Sequence, residues 1–552
     1  RRFVSWRRNV LICITKGNSC RYKKTSYSVA PPMLLPPPLE RYRLSRDRNF
    51  LLRAALVITA VSVILAFFVS WIPTNQRLAR YESSLEEMRP GDVSSLIALV
   101  RLQDSGSKDG TCTGWMEYVP EHFYGEEIEA VMEDLRQDPS VALIKVWWKG
   151  LHLNDPATAI AELEKFPPTM RYRNEFLGDL SFHSSDSVQA MRYYLAEAAL
   201  FAEADYARRC AVFLARYDED RVHLKALLED PSFREAFPSH ALSPYEAYAR
   251  DYLGLARSVL ATQWEIRFSP YLFSAIFTCA IWFGILLAFR EKSRKSLLLS
   301  FVGLALGMAS ATLTLYVAMI QEGANEYAFQ PNDTVFAQFL YFLTGIALRE
   351  ETLKLLCFLP LAIVLRKKGT ALEALLLAGM VGLGFAFREN ILYFRVTSDS
   401  FNPWMRLLTA NALHFSLTGV AGYYLWRMLS RRFRGWEEFL VSFLAVVFAH
   451  ALYNALLAMP ILAEYSSLSP ILAAVIAYQY FDPLRQHMDS FGAHRRYSPL
   501  GIFILGSVLL ACGILIAVSA SMPFRFALGY FAMSLGSLLP LCFAFISRFR
   551  DL

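Results

Sequence analysis

Along the chain, long apolar runs alternate with short basic loops, and this rhythm is broken once by a long stretch of a different period. Residues 54–72 carry no charge over a length that spans a bilayer as one helix, and Arg41, Arg43, Arg46, Arg48 and Arg53 lie before or just at its start. From 271 onward apolar runs follow closely, at 271–289, 297–320, 335–365, 371–394, 405–426, 439–463, 469–481, 500–521 and 524–546. Together they predict an all-α polytopic membrane protein with about ten transmembrane helices. The weakest is 469–481. At 1.5 Å per residue it reaches only ~20 Å, against a hydrocarbon core of ~30 Å.

Between the first run and the rest, residues 75–268 read as a soluble helical domain. Apolar residues recur every three or four positions over 190–217 and 245–264, and Asp138-Pro139, Asp155-Pro156 and Asp230-Pro231 mark helix starts. Stacked helical hairpins of a tetratricopeptide kind are one reading. A helical domain without repeats is the other, since no clean 34-residue signature stands out. Residues 1–53 form a basic amino-terminal segment. Its first 32 residues lack pattern and end before Met33, so they read either as upstream sequence preceding the true start or as a basic tail. Residues 269–552 form the multi-span core.

Charge then orients the spans. Of the 552 residues 55% are hydrophobic and 19% charged, with a net charge of +7. Residues 75–268 hold 32 acidic and 21 basic residues, a net of −11, which leaves +18 for the remainder. The positive charge lies in loops: Arg290 to Lys295, Arg366 to Lys368, Arg427 to Arg434, Arg485 to Arg496, and Arg548 with Arg550. That placement excludes a nucleic-acid reading of the basic balance. It predicts a cytoplasmic amino terminus, cytoplasmic basic loops and an extracytoplasmic domain after the first span. The eight cysteines include no close pair; Cys112 and Cys210, the two in the soluble region, are either one disulfide or two buried thiols.

Chemistry enters where charge interrupts the apolar runs. Glu350, Glu351 and Lys354 lie midway along 335–365, Glu389 near the outer end of 371–394, His414 inside 405–426, and His450 and Asn454 inside 439–463. An ionisable group at such depth costs at least ~2.5–3.5 kcal/mol, so these groups face protein or a wet cavity. Spacings of three and four put Lys354 beside both glutamates, where it neutralises one and leaves the other for acid-base work. Asn411 and Thr418 share the face of His414. Small residues Gly379, Gly382 and Gly384 let a neighbouring helix approach. An active site is the leading reading. A buried ion-paired core in a membrane scaffold and a proton relay in a transporter are its rivals, and no internal repeat of the transporter kind is evident.

The motifs Glu350-Glu351-Thr-Leu-Lys354, Gly382-Leu-Gly384-Phe385-Ala-Phe-Arg388-Glu389-Asn390, His414 to Gly422, and His450-Ala-Leu-Tyr-Asn454 occur in that order over 335–460. In order and spacing they resemble the PrsW family of bacterial intramembrane proteases, a relative of the CAAX-prenyl-protease and bacteriocin-immunity superfamily. The resemblance implies hydrolysis of peptide bonds in membrane-anchored proteins, such as anti-sigma factors in stress signalling, at the bacterial cytoplasmic membrane. It implies Glu350 as the base that activates water, with His450 and Asn454 as electrophilic partners. Glu351 and Lys354 would support the base, and Glu389 and His414 complete the pocket. The helical domain lies outside the resemblance and is expected to dock protein. No cofactor is expected, because the familiar zinc helix, two histidines four apart around a glutamate, is absent and Lys354 adds positive charge. The alternative is zinc on Glu350, His414 and His450.

Overall fold

Backbone in lipid must satisfy its own hydrogen bonds, and this chain does so with helices: no strand occurs among the described residues. The computed structural model describes residues 43–87, 132–264, 270–289, 294–324, 327–396, 402–488, 498–519 and 524–549, with a few single positions before 132. Helix α1 (Arg48–Glu87) begins after Asp47, whose carboxylate accepts the Asn49 and Phe50 amides.

Residues 140–264 form a run of helical hairpins built by one local rule. The pairs are α2 (Ser140–His152) with α3 (Pro156–Leu163), α4 (Arg173–His183) with α5 (Ser187–Leu200), and α6 (Asp205–Tyr217) with α7 (Arg221–Glu229). A short α8 (Pro231–Glu235) leads into the fourth, α9 (Ser239–Tyr248) with α10 (Tyr252–Trp264). Each first helix ends on a left-handed residue, Asn154, Ser185, Glu219 or Arg250. An aspartate follows each one. The backbone N–H groups of Asp155, Asp186, Asp220 and Asp251 reach the carbonyls of Gly150, Ser181, Ala215 and Glu246, five residues back, at 2.9–3.0 Å. Their carboxylates accept the amides of Thr158, Gln189, His223 and Gly254, three residues on. The first bond closes one helix and the second caps the next. These aspartates recur at spacings of 31, 34 and 31 residues, so the hairpins are a repeat. Cys210 is buried in the core of the array, whereas Cys112 lies outside the described residues.

Glu197 joins the two helices of the second hairpin. It is buried on α5 and accepts the Tyr172 amide at 2.6 Å and the Asn174 amide at 3.2 Å, at the start of α4. Burial pushes its carboxyl up to about 7, aided by the nearby Glu175 carboxylate and against the pull of the two amides. A raised carboxyl pKa means that the folded form holds a proton the unfolded chain has released. The resulting stability is complete below the ordinary value of 4.5 and is lost as pH rises through about 7. Thermal unfolding of the domain should therefore shift upward between pH 8 and pH 5.5, and Glu197→Gln should flatten that slope. An unchanged slope in the variant would rule out Glu197 as its source.

The remaining helices are α11 (Pro270–Ala288), α12 (Arg294–Met319), α13 (Val335–Leu340), α14 (Arg349–Leu365), α15 (Ala371–Val396), α16 (Asn402–Ser430), α17 (Trp436–Ala458), α18 (Ser469–Met488), α19 (Pro499–Ser519) and α20 (Phe524–Phe549). Among the described residues, six stretches are long and apolar enough to cross a membrane: Arg48–Trp71, Arg294–Ala324, Ala371–Tyr393, Trp436–Ala458, Pro460–Gln486 and Pro499–Ser519. Two others have shorter apolar cores, Ala275–Ala288 and Leu538–Phe549. The weak run at 469–481 is thus longer than its sequence pattern suggests. Helix α17 stops at Met459, a 3-10 segment (Pro460–Leu468) comes next, and α18 adds 20 residues, enough for ~30 Å. Conversely, 335–365 is not one continuous α-helix, because a π-helical stretch, Tyr341–Leu348, separates α13 from α14.

Helix α15 is the hub of the core. Where it crosses α12, Gly384 faces the Leu304 carbonyl and Gly307 faces the Val381 carbonyl so closely that a Cβ on either would collide with backbone. Gly382 lies in the same way against the carbonyl of His414 on α16. These contacts pack α15 tightly against α12 and α16 and bring Glu389 and His414 within side-chain reach. At one end of α12 the hairpin array docks: Ala247, Leu255 and Val259 pack on Leu315, Met319 and Ile320.

Candidate active site

The site is assembled around Lys354, which is wholly buried on α14. Its ammonium lies 2.8 Å from Glu351 Oε1, 3.3 Å from Glu350 Oε2 and 2.9 Å from Nδ1 of His414. The ring of Phe385, on α15, lies beneath it at 3.8 Å. Two helical spacings on α14 account for the glutamates, and the glycine contact at 382 accounts for the imidazole. Neighbouring helices supply the rest. Glu389 of α15 approaches Nε2 of His414 to 2.8 Å. Nδ1 of His450, on α17, is 2.9 Å from Glu351 Oε1, and its Nε2 is 3.7 Å from Glu350 Oε2. The Thr418 hydroxyl lies 3.5 Å from Glu351 Oε2. The two imidazoles meet edge to face, with centroids 5.2 Å apart.

Exposure separates the carboxylates. Glu351 is sealed, Glu350 nearly so, and the Glu389 side chain keeps 15% of its surface open. Glu351 is the anchor, held by Lys354 and His450 together. Glu389 is the carboxylate at the opening of the cluster.

Six of the seven residues expected from sequence therefore converge: Glu350, Glu351, Lys354, Glu389, His414 and His450. Asn454 stands apart from them. It lies one turn beyond His450, half-buried, with no hydrogen bond into the cluster among the described residues. The preceding residue, Tyr453, turns inward instead and bonds Thr409 at 2.9 Å. Asn390 was not expected as a site residue. It is 1% exposed, and neither of its polar side-chain atoms has a hydrogen-bond partner among the described residues. A buried amide in that condition is costly unless water or a ligand group meets it. Its signal in the sequence was adjacency to Glu389.

Buried carboxylates, two imidazoles and an ammonium form one polar centre inside a bundle of apolar helices. Residues 275–480 match the family model for PrsW-protease, described as PrsW family intramembrane metalloprotease, which supports a PrsW-family membrane protease in this part of the chain. The match reaches beyond the 335–460 motifs on both sides, from α11 into α18, and leaves the hairpin array uncovered. No curated protein and no solved structure matches the chain. The protein is a multi-pass membrane protein.

A metal is implied by that family description, and the donor set accommodates one. One atom each from Glu350, His414 and His450, all buried, lies within 4.8 Å of the others. Two imidazoles and a carboxylate form a known zinc set that leaves a position for water. His450 is already arranged as such ligands usually are, with Nδ1 against the Glu351 carboxylate and Nε2 turned toward the other donors.

Proposed function

We propose that this protein is an intramembrane peptidase that hydrolyses membrane-anchored proteins, with a divalent ion held by Glu350, His414 and His450. The observation that carries this reading is the convergence of four helices on one buried cluster of carboxylates and imidazoles around Lys354. A buried ion-paired core with no chemistry is poorly favoured, since buried charge pairs are weak stabilisers compared with packed apolar residues. When bound, the ion would lower the pKa of its water and polarise the scissile carbonyl.

The chain's own groups divide the remaining work. Glu351 fixes the tautomer and orientation of His450 through Nδ1. Lys354 offsets the charge of Glu350 and Glu351, so that the site can stay buried. Glu389, the most accessible carboxylate, takes the proton from the attacking water and returns it to the leaving amine. Asn390 offers its amide to the substrate backbone.

A second reading is favoured by one contact. Lys354 as an ammonium donates to Nδ1 of His414 at 2.9 Å, which leaves the proton on Nε2, facing Glu389. In that state His414 cannot ligate, and Glu350 would serve as the base in a metal-free site. Ligation by His414 requires Lys354 to turn wholly to the glutamates or to give up its proton.

The basic-loop pattern supports ten crossings, a cytoplasmic amino terminus, and the hairpin array on the outer side, where it would dock protein substrates. The family resemblance supports the bacterial cytoplasmic membrane as the location and signalling factors among the substrates. In cells carrying Glu350→Gln, a membrane-anchored protein should accumulate uncut by comparison with wild type. Membrane proteomes with identical fragment patterns in the two strains would sink the proteolytic reading.

A further inference from the structure

We propose that Arg349, gripped by Gln321 and Glu322, is a positioning residue for the Glu350–Glu351 pair, and that the last helical hairpin sets this grip through Gly323. The inference rests on the reading of Glu350 and Glu351 as members of the reacting cluster. It starts from two π-helical stretches that face each other. One, Ile320–Ala324, ends α12; the other, Tyr341–Leu348, leads directly into Arg349, the first residue of α14.

The two are joined by polar side chains. Arg349 Nη1 donates to Gln321 Oε1 at 2.9 Å and lies 3.7 Å from Glu322 Oε1, and the Tyr341 hydroxyl donates to Glu322 at 3.0 Å. Arg349 is one tenth exposed, so this is a largely enclosed contact. Its place in the chain gives it leverage. A π turn holds more residues than an α turn, and each residue of phase rotates the downstream helix by ~100°. The winding of 341–348 therefore decides which way Glu350 and Glu351 point. Arg349 fixes that winding at its exit.

The other side of the grip leads to the hairpin array. Gly323 sits between Gln321–Glu322 and helix α9, and a Cβ built on it would stand 2.6 Å from the Cβ of Ala247. The array thus rests on the turn that carries both partners of Arg349. A displacement of the last hairpin, such as protein docking would cause, is transmitted to the phase of the glutamates through three side chains.

The test uses the full chain in nanodiscs, with fluorescently labelled casein as the hydrolysis probe and hydrogen–deuterium exchange of residues 341–355 as a readout independent of activity. Arg349→Gln should lower kcat at least ~10-fold while KM stays within about twofold, the mark of misplaced catalytic groups. Gly323→Ala should lower kcat similarly and speed exchange in 341–355, and adding Ala247→Gly should restore both by returning the space. Unchanged kcat in Arg349→Gln, unchanged exchange in Gly323→Ala, or no recovery in the pair would overturn the proposal. Casein hydrolysis that survives Glu350→Gln would refute the placing of Glu350 in the reacting cluster instead, and the exchange measurements would still decide the grip.

Discussion

Lys354→Met should give a protein that inserts but unfolds about 3–5 kcal/mol more easily and hydrolyses nothing. The magnitude comes from burial: removing one partner of a buried ion pair leaves the other charge uncompensated. Here Glu351 is sealed from solvent and Glu350 nearly so, and Lys354 is the group within 3.3 Å of both. The double variant Lys354→Met/Glu351→Gln should recover part of the stability, because the fully sealed one of the two stranded carboxylates is then neutral, yet remain inactive. That split separates a structural from a catalytic role. A stable, active Lys354→Met protein would show that the cluster is neutralised some other way, and the charge assignment would fall.

Chelation should have the second largest effect. Prolonged dialysis of the purified protein against a strong chelator should abolish hydrolysis, and zinc should restore it, with about one ion bound per chain. The donor triad of Glu350, His414 and His450 underlies this expectation, together with the carboxylate behind His450. His450→Ala should lower zinc affinity ~10–100-fold or more, and Glu351→Gln, acting through His450, by roughly the same factor. Activity that persists after the metal content has fallen well below one per chain would decide for Glu350 as a base in a metal-free site. The 2.9 Å contact between Lys354 and His414 would then describe the working state.

Much of the site was legible because charge in an apolar run is so costly that its presence needs a reason. Glu350, Glu351, Lys354, Glu389, His414 and His450 stood out for that reason alone, and the structure gathers them. Asn454 was less secure on physical grounds. A spacing of four leaves a helix offset of ~40°, and α17 spends its inward face on His450 and Tyr453. The π stretch was invisible because Tyr341 to Leu348 are ordinary helix residues. The length of α18 was hidden for the opposite reason. Asp482 and Arg485 ended the apolar run, but the helix continues because Asp482 pairs with Arg548 at 2.6 Å and Arg485 reaches the Arg548 carbonyl. The hairpin repeat was present in the sequence but not at the aromatic and alanine positions where such repeats are usually sought. It lies in the pairs Asn154-Asp155, Ser185-Asp186, Glu219-Asp220 and Arg250-Asp251, where the first residue shares only its left-handed backbone and the second is always the capping aspartate.

That repeat makes the domain a ruler seated at its fourth hairpin. The fourth hairpin is seated on α12, and each earlier hairpin stacks on the next, so adding or removing one unit of 31–34 residues upstream would leave the seat untouched. At the usual 8–10 Å between packed helices, one hairpin changes the distance from the seat to the first hairpin by roughly 10–20 Å. The length of the array can thus be altered in discrete steps without disturbing a single residue of the buried cluster.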